Sequence, residues 1–324
     1  MPGLDLLTTN LLQPIVLCFV LGGIAGFLRS ELELPEAVIK LLSIILLFSI
    51  GITGGREIAQ VKFSDIAGTL TATLVLTFAI PVVCFLVLRR LGRFDAANAG
   101  AVAAHYGSVS TATFFASVAF ARAMNTPSEG FITALVAMME FAVIFSIAMA
   151  RWSMGKAAGN FRMLDLFMDT LRGRGILLLT GGMVIGALAT DTQYSQIQPF
   201  WEGMFRGFLM LFLLEMGMTA ARQIRGFAQV GPFMLGFGTI MPVIFGLTGV
   251  TVGYLTGLSL GGAFVLGAIC ASASFIDAPA ACRAALPEAN PGIYLTSSLG
   301  ITLPFNLLIG IPLYYEYAKL LYGM

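Results

Sequence analysis

Charge is what this chain has least of. Only 11% of its 324 residues are Asp, Glu, Lys or Arg, against roughly a quarter in ordinary globular chains, while 58% are hydrophobic. A soluble core could not bury that much apolar surface, so lipid is the expected solvent. Histidine is nearly absent: His105 stands alone and reads as a packed, hydrogen-bonded imidazole. The four cysteines, Cys18, Cys84, Cys270 and Cys282, lie in apolar stretches without CxxC spacing. A disulfide framework and a metal site are therefore disfavoured, and the thiols read as packing residues. Catalytic signatures are missing too, with no HExxH, GxSxG, Walker loop or GxGD pair. The chain is expected to be no enzyme and to need no cofactor, and transport without an ATP site must run on an ion gradient or be passive. Nothing resembles a nucleic-acid-binding stripe in a sequence whose net charge is +1.

What is present is a series of apolar runs near the 20 residues that span roughly 30 Å of hydrocarbon. They lie near 11–29, 35–53, 65–88, 95–124, 129–150, 175–190, 199–220, 232–255, 258–286 and 291–318. The first lacks the basic leader of a secretory signal and is read as a retained helix. With the N-terminus outside, twelve of the eighteen basic residues fall at cytoplasmic ends, among them Arg89, Arg90, Arg93, Arg172 and Arg174. Four, Arg56, Lys62, Arg122 and Lys319, fall outside, and Lys40 and Arg206 lie within segments. The excess predicts a multi-pass protein of the cytoplasmic membrane with both termini facing outward.

The chain also repeats itself. Ile50-Gly51-Ile52-Thr53-Gly54-Gly55-Arg56-Glu57-Ile58 returns as Met216-Gly217-Met218-Thr219-Ala220-Ala221-Arg222-Gln223-Ile224, an offset of 216 − 50 = 166. Gly22-Gly23 returns as Gly181-Gly182, Pro81 as Pro242, and Gly107-Ser108-Val109-Ser110 as Ala271-Ser272-Ala273-Ser274. A unit of five crossings must insert its second copy upside down, the arrangement secondary transporters use for alternating access. The expected fold is an all-α integral membrane protein of ten transmembrane helices in two inverted five-helix repeats, residues 1–155 and 175–324, joined by a polar cytoplasmic connector, 156–174.

Segments four and nine run about 30 residues, and each is interrupted by small polar residues, from Gly107 to Thr113 and from Ala271 to Pro279. Small residues can also serve close helix packing, and Ser or Thr can bond back within an unbroken helix. A matched break in both copies instead predicts half-helices starting near the midplane, where free amides and the positive ends of two helix dipoles suit a small anion. Three acids fall within the apolar runs, Glu140, Glu215 and Asp277. An ionised acid in mid-membrane costs at least about 2.5 kcal/mol, and a sodium ion held by carboxylate, hydroxyl and carbonyl oxygens offsets that. Glu140 and Asp277 are the foremost cation ligands, Glu215 a weaker one. Thr302 and Asn306, in the place that Glu140 and its neighbours hold in segment five, join them as candidates.

At these residues the chain resembles the sodium-dependent bicarbonate transporter family first known from cyanobacteria. The likeness rests on Ile50 to Ile58, the Gly107 to Thr113 break, Met139-Glu140, Met216-Gly217-Met218, and above all the run from Ala271 through Arg283-Ala284-Ala285-Leu286-Pro287 to Ser297-Ser298, closing with Gly310-Ile311-Pro312-Leu313. The resemblance implies a core domain moving against a gate domain, a homotrimer, and bicarbonate between the broken helices with sodium beside it. It would place the anion among Gly107, Ser108, Ser110 and Thr111 on one side and Ala271, Ser272 and Ser274 on the other, and sodium on Glu140, where the cyanobacterial pattern has an aspartate. Phe275 stands where that pattern places a second aspartate, with Asp277 two residues on. The connector is also shorter than in cyanobacterial members, which a PII-like partner regulates. The functional expectation is a sodium-coupled symporter of bicarbonate. A symporter of another small carboxylate, a passive anion channel and a membrane-embedded sensor remain the alternatives.

Overall fold

A computed structural model describes residues 12–155, 162–224, 227–276 and 278–324. These residues form helices with no strand among them. Six helices are long and apolar enough to cross a bilayer: Glu36–Ile58, Phe63–Arg90, Ile132–Met154, Asp191–Gln223, Gly231–Leu255 and Pro291–Leu321. A seventh span results if Met163–Leu171 and Arg174–Leu188, bent by 49° at their junction, act as one. Pro14–Leu28 and Leu260–Cys270 are shorter apolar helices.

Proline marks the two halves alike. Pro81 lies inside the Phe63–Arg90 helix and its repeat counterpart Pro242 inside Phe227–Leu255, where Gly231, at φ 71°, is the one residue out of helical geometry. Only a residue without a Cβ takes that left-handed backbone at little cost.

The halves interlock crosswise. Pro14–Leu28, the first described helix of the first half, lies against Phe205–Ile224 of the second, and Arg174–Leu188 lies against Glu36–Ile58. In each pair glycines bring backbone onto backbone, because a Cβ on Gly22 would run into the Leu214 carbonyl and one on Gly55 into that of Met183. Close approach through small residues is how helices associate where lipid removes the hydrophobic drive. The register rises together along both partners: Gly22 meets Leu214 and Gly26 meets Met218, while Gly51 meets Leu179 and Gly55 meets Met183. Both pairs therefore run parallel.

One expectation is revised here. The connector is more than a polar link: Met163–Leu171 is an amphipathic helix that buries Leu166 while Leu164, Phe167 and Met168 remain exposed. Its acids, Asp165 and Asp169, stand four residues apart and so share a face. Composition hid the pattern, since Arg162, Arg172 and Arg174 flank it.

Candidate functional site

The backbone leaves the helix at both places where the sequence turns small and polar. Asp95 caps the Ala96–Gly107 helix by accepting the Asn98 amide. Ser108 then adopts extended backbone and Ser110 caps the next helix, Thr111–Ala123, its hydroxyl accepting the Thr113 amide at 3.3 Å. Ser259 likewise caps Leu260–Cys270, and helix resumes at Ala278–Ala285. Ser and Asp recur at these points because a short side-chain oxygen satisfies amides that a helix start leaves without partners.

The two breaks touch. The Ser110 amide donates to Ser272 Oγ at 2.8 Å, and the Ser274 amide donates to the His105 carbonyl at 2.7 Å. Ser272 Oγ in turn donates to the Ile269 carbonyl at 2.8 Å. Ser108, Ser110, Ser272 and Ser274 are all buried, so backbone opened by the breaks is satisfied by the opposite break. The ends of the broken segments are tied crosswise as well. The Asn290 amide donates to Asn98 Oδ1 at 2.8 Å beyond the second break, and Glu129 Oε1, beyond the first, accepts the Ser259 amide at 2.6 Å.

Each break also has a partner from a neighbouring helix. Ser108 Oγ donates to Glu140 Oε2 at 2.6 Å, with Glu140 in the turn between Ile132–Met139 and Ala142–Met154 and only 7% exposed. Asn306 Nδ2 donates to the Ala271 carbonyl at 2.9 Å, and Asn306 Oδ1 accepts Tyr314 Oη–H at 3.0 Å. Thr302 Oγ1 donates to the Gly238 carbonyl at 2.8 Å and lies 2.6 Å from Tyr106 Oη. Of the expected anion ligands, Ser108, Ser110, Ala271, Ser272 and Ser274 are thus gathered and Thr111 opens the second half-helix. Gly107 instead faces Pro81 and Ala142, where a Cβ would be crowded.

Among the expected cation ligands in the described residues, only Glu140 is bonded to a break residue through a carboxylate. Glu215 bonds within its own helix, to Thr219 at 3.1 Å, and Asp277 lies outside the described residues. His105 packs, its Nδ1 2.7 Å from the Ala101 carbonyl and its ring stacked 4.6 Å from that of Tyr294. No group of three or more His, Cys, Asp or Glu suited to a metal occurs among the described residues.

Two cavities flank the broken segments, and they are unequal. One, about 380 Å³, is lined by Glu140, Ile276 and Ala281 on one wall and by Asp165, Asp169 and Ile176 on the other. The other, about 30 Å³, lies between Thr53, Glu57, Phe114 and Arg122. Gly54 lines it, and a Cβ there would stand 2.6 Å from Thr133 Oγ1 and 2.7 Å from the Gly130 carbonyl, so backbone packs closely at this point. Residues that composition did not single out, Tyr106, Gly310, Tyr314, Asp165 and Asp169, complete these surroundings. Of these only Gly310 sat in a stretch with a family likeness.

A family model described as the Na+-dependent bicarbonate transporter superfamily matches residues 14–319. Among curated proteins, none matches the chain.

Proposed function

The chain belongs to the Na+-dependent bicarbonate transporter superfamily, and from that premise we propose that it is a sodium-coupled symporter importing bicarbonate across the cytoplasmic membrane by alternating access. The observation that carries this reading is the buried junction of the two breaks with Glu140 hydrogen-bonded to it through Ser108. The anion binds where the breaks meet, held by Ser110, Thr111, Ser272 and Ser274 with the starts of Thr111–Ala123 and Ala278–Ala285 behind them. Sodium binds at Glu140, whose neighbour Ser108 turns its oxygen to the ion. Thr302 and Asn306, expected beside it, are already engaged with Gly238, Tyr106, Ala271 and Tyr314.

Sodium comes first in this cycle. Opposite charges about 5 Å apart interact by roughly 3 kcal/mol at an effective dielectric near 20. Such an ion therefore raises affinity for the anion by about two orders of magnitude. Neither ion is then carried well alone, which is the requirement for coupling.

The ten-helix, inverted arrangement belongs to the same proposal, with both termini outside. Its support is the parallel packing of each half's first helix on the other half's second. Consecutive spans of one half alternate in direction, so two halves inserted the same way up would pair those helices antiparallel. The unequal cavities support alternating access, the large one lined in part by the connector helix and the small one by Gly54 and Thr133.

Purified protein in liposomes, given labelled bicarbonate with and without an inward sodium gradient, tests the function. Accumulation above equilibrium only with the gradient is the expected result. Accumulation indifferent to sodium rejects the coupling, equilibration without accumulation points to a channel, and competition by pyruvate or acetate points to a different carboxylate.

A further inference from the structure

Asn306 sits 306 − 140 = 166 residues after Glu140, within the range of 159 to 166 by which the matched stretches are offset, so the two hold roughly the same place in the repeated unit. Both bind a break, but with opposite polarity: Glu140 accepts a hydroxyl proton from Ser108, whereas Asn306 donates an amide proton to the Ala271 carbonyl, one residue past the Leu260–Cys270 helix. We infer that Asn306, held by Tyr314, is a positioning residue that clamps the second break in register with the first, and that it is not a ligand of the coupling ion. The inference rests on the transport reading above.

Three observations carry it. Asn306 and Tyr314 are both fully buried, and both polar ends of the Asn306 amide are occupied, one by Ala271 and the other by Tyr314. The helix here is wound wide over Thr296–Thr302 and again over Asn306–Gly310, a distortion that frees or redirects side chains and concentrates at functional sites. Finally, Gly310 leaves room for the pair, since a Cβ there would stand 2.6 Å from Asn306 Oδ1 and 3.0 Å from the Tyr314 ring. The clamp reaches the other break because the strand it anchors supplies Ser272 Oγ to the Ser110 amide and the Ser274 amide to the His105 carbonyl. Releasing Ala271 loosens the surface that meets the anion while Glu140 and Ser108 stay in place.

Asn306→Asp separates the two roles. It preserves size and the acceptor for Tyr314 but removes the donor to Ala271, whereas an ion ligand would gain from the added charge. Asn306→Asp and Tyr314→Phe are each expected to raise the half-saturating bicarbonate concentration about tenfold, the factor one buried hydrogen bond carries. Half-saturation by sodium, read at saturating bicarbonate so that the coupling between the two ions does not enter, should stay within about twofold, since no ligand of the ion is touched. Tyr314→Phe deletes a single oxygen and covers the case in which the charged variant does not fold.

Amide deuterium exchange over residues 271–276, read on the same purified proteins without any transport assay, should quicken in both variants. Unchanged exchange in both, or a shift in sodium half-saturation with bicarbonate half-saturation intact, overturns the clamp. If the unaltered protein fails to accumulate bicarbonate with sodium, the transport reading falls, while the exchange measurement still decides the clamp.

Discussion

The first and second breaks are copies of one device that have acquired different partners. Around the first, the neighbouring helix offers a carboxylate, Glu140, bonded to Ser108. Around the second, the corresponding position offers an amide, Asn306, bonded to Ala271. Both side chains close the polar gap a broken helix leaves in the membrane, where an unsatisfied group costs several kcal/mol. Only the carboxylate adds charge. The two breaks thus share a local pattern in the sequence, while an acid stands beside one and a neutral amide beside the other.

Removing the charge from the first break is the severest way to break this comparison. Glu140→Gln keeps the volume and an acceptor for Ser108 but takes away the negative charge, and uptake at limiting sodium should fall by about a hundredfold, since a carboxylate within about 5 Å of the ion contributes roughly 3 kcal/mol at an effective dielectric near 20. Glu140→Asp, which restores the acid, should recover part of the sodium dependence. Sodium-dependent uptake undiminished in Glu140→Gln would mean that the ion binds elsewhere.

A smaller effect comes from the seam between the breaks. Ser272→Ala strips the Ser110 amide of its acceptor at a site with no exposure, a loss of about 1–3 kcal/mol. Half-saturation by bicarbonate is expected to rise about tenfold. Ser272→Thr, which retains the hydroxyl, should lie between the two. Equal affinities in all three proteins would show that the Ser110 amide contributes nothing to anion binding.

Local pattern carried much of this structure into the sequence, and long-range pairing carried the rest out of sight. The interruptions at Gly107 to Ser110 and at Ala271 to Ser274 were legible because small polar residues in an apolar run conflict with an unbroken membrane helix, and their recurrence in the same order as the other matched stretches made accident a poor explanation. Glu140 was legible for the same reason, as a charge placed where charge is costly. Nothing local reveals that Tyr314 will reach Asn306, for that bond depends on wide helical turns and on a glycine at 310 giving way. The crosswise helix pairs were half visible: Gly22-Gly23 and Gly181-Gly182 stood out as repeat markers, yet which helix each would meet is a matter of tertiary packing. That Asn306 would donate to Ala271 while Glu140 accepts from Ser108 was not legible either, because a similar place in the repeat fixes where a side chain reaches and not what its atoms then do.

The connector gives the mildest test, and it probes the two faces of the molecule. Asp165 and Asp169 line the large cavity together with Glu140, and no described connector residue lines the small cavity beside Gly54. Asp165 is well exposed and lies 3.7 Å from Arg162, so the field it contributes is partly neutralised and screened. An exposed charge of this kind is worth at most about 1 kcal/mol. Replacing both acids by Asn should therefore raise the sodium concentration for half-maximal transport by about two- to threefold when sodium is supplied from the connector side, with no change from the opposite side. The difference should shrink as ionic strength rises, because at 0.15 M the screening length is only about 8 Å. Measuring sodium-driven flux in both directions across liposomes of known protein orientation provides the reading. An equal shift from both sides would place the acids' influence on the transport cycle as a whole. A shift that persists at high salt would make one of them a direct ligand and move the ion's path from the Glu140 wall to the connector wall of the cavity.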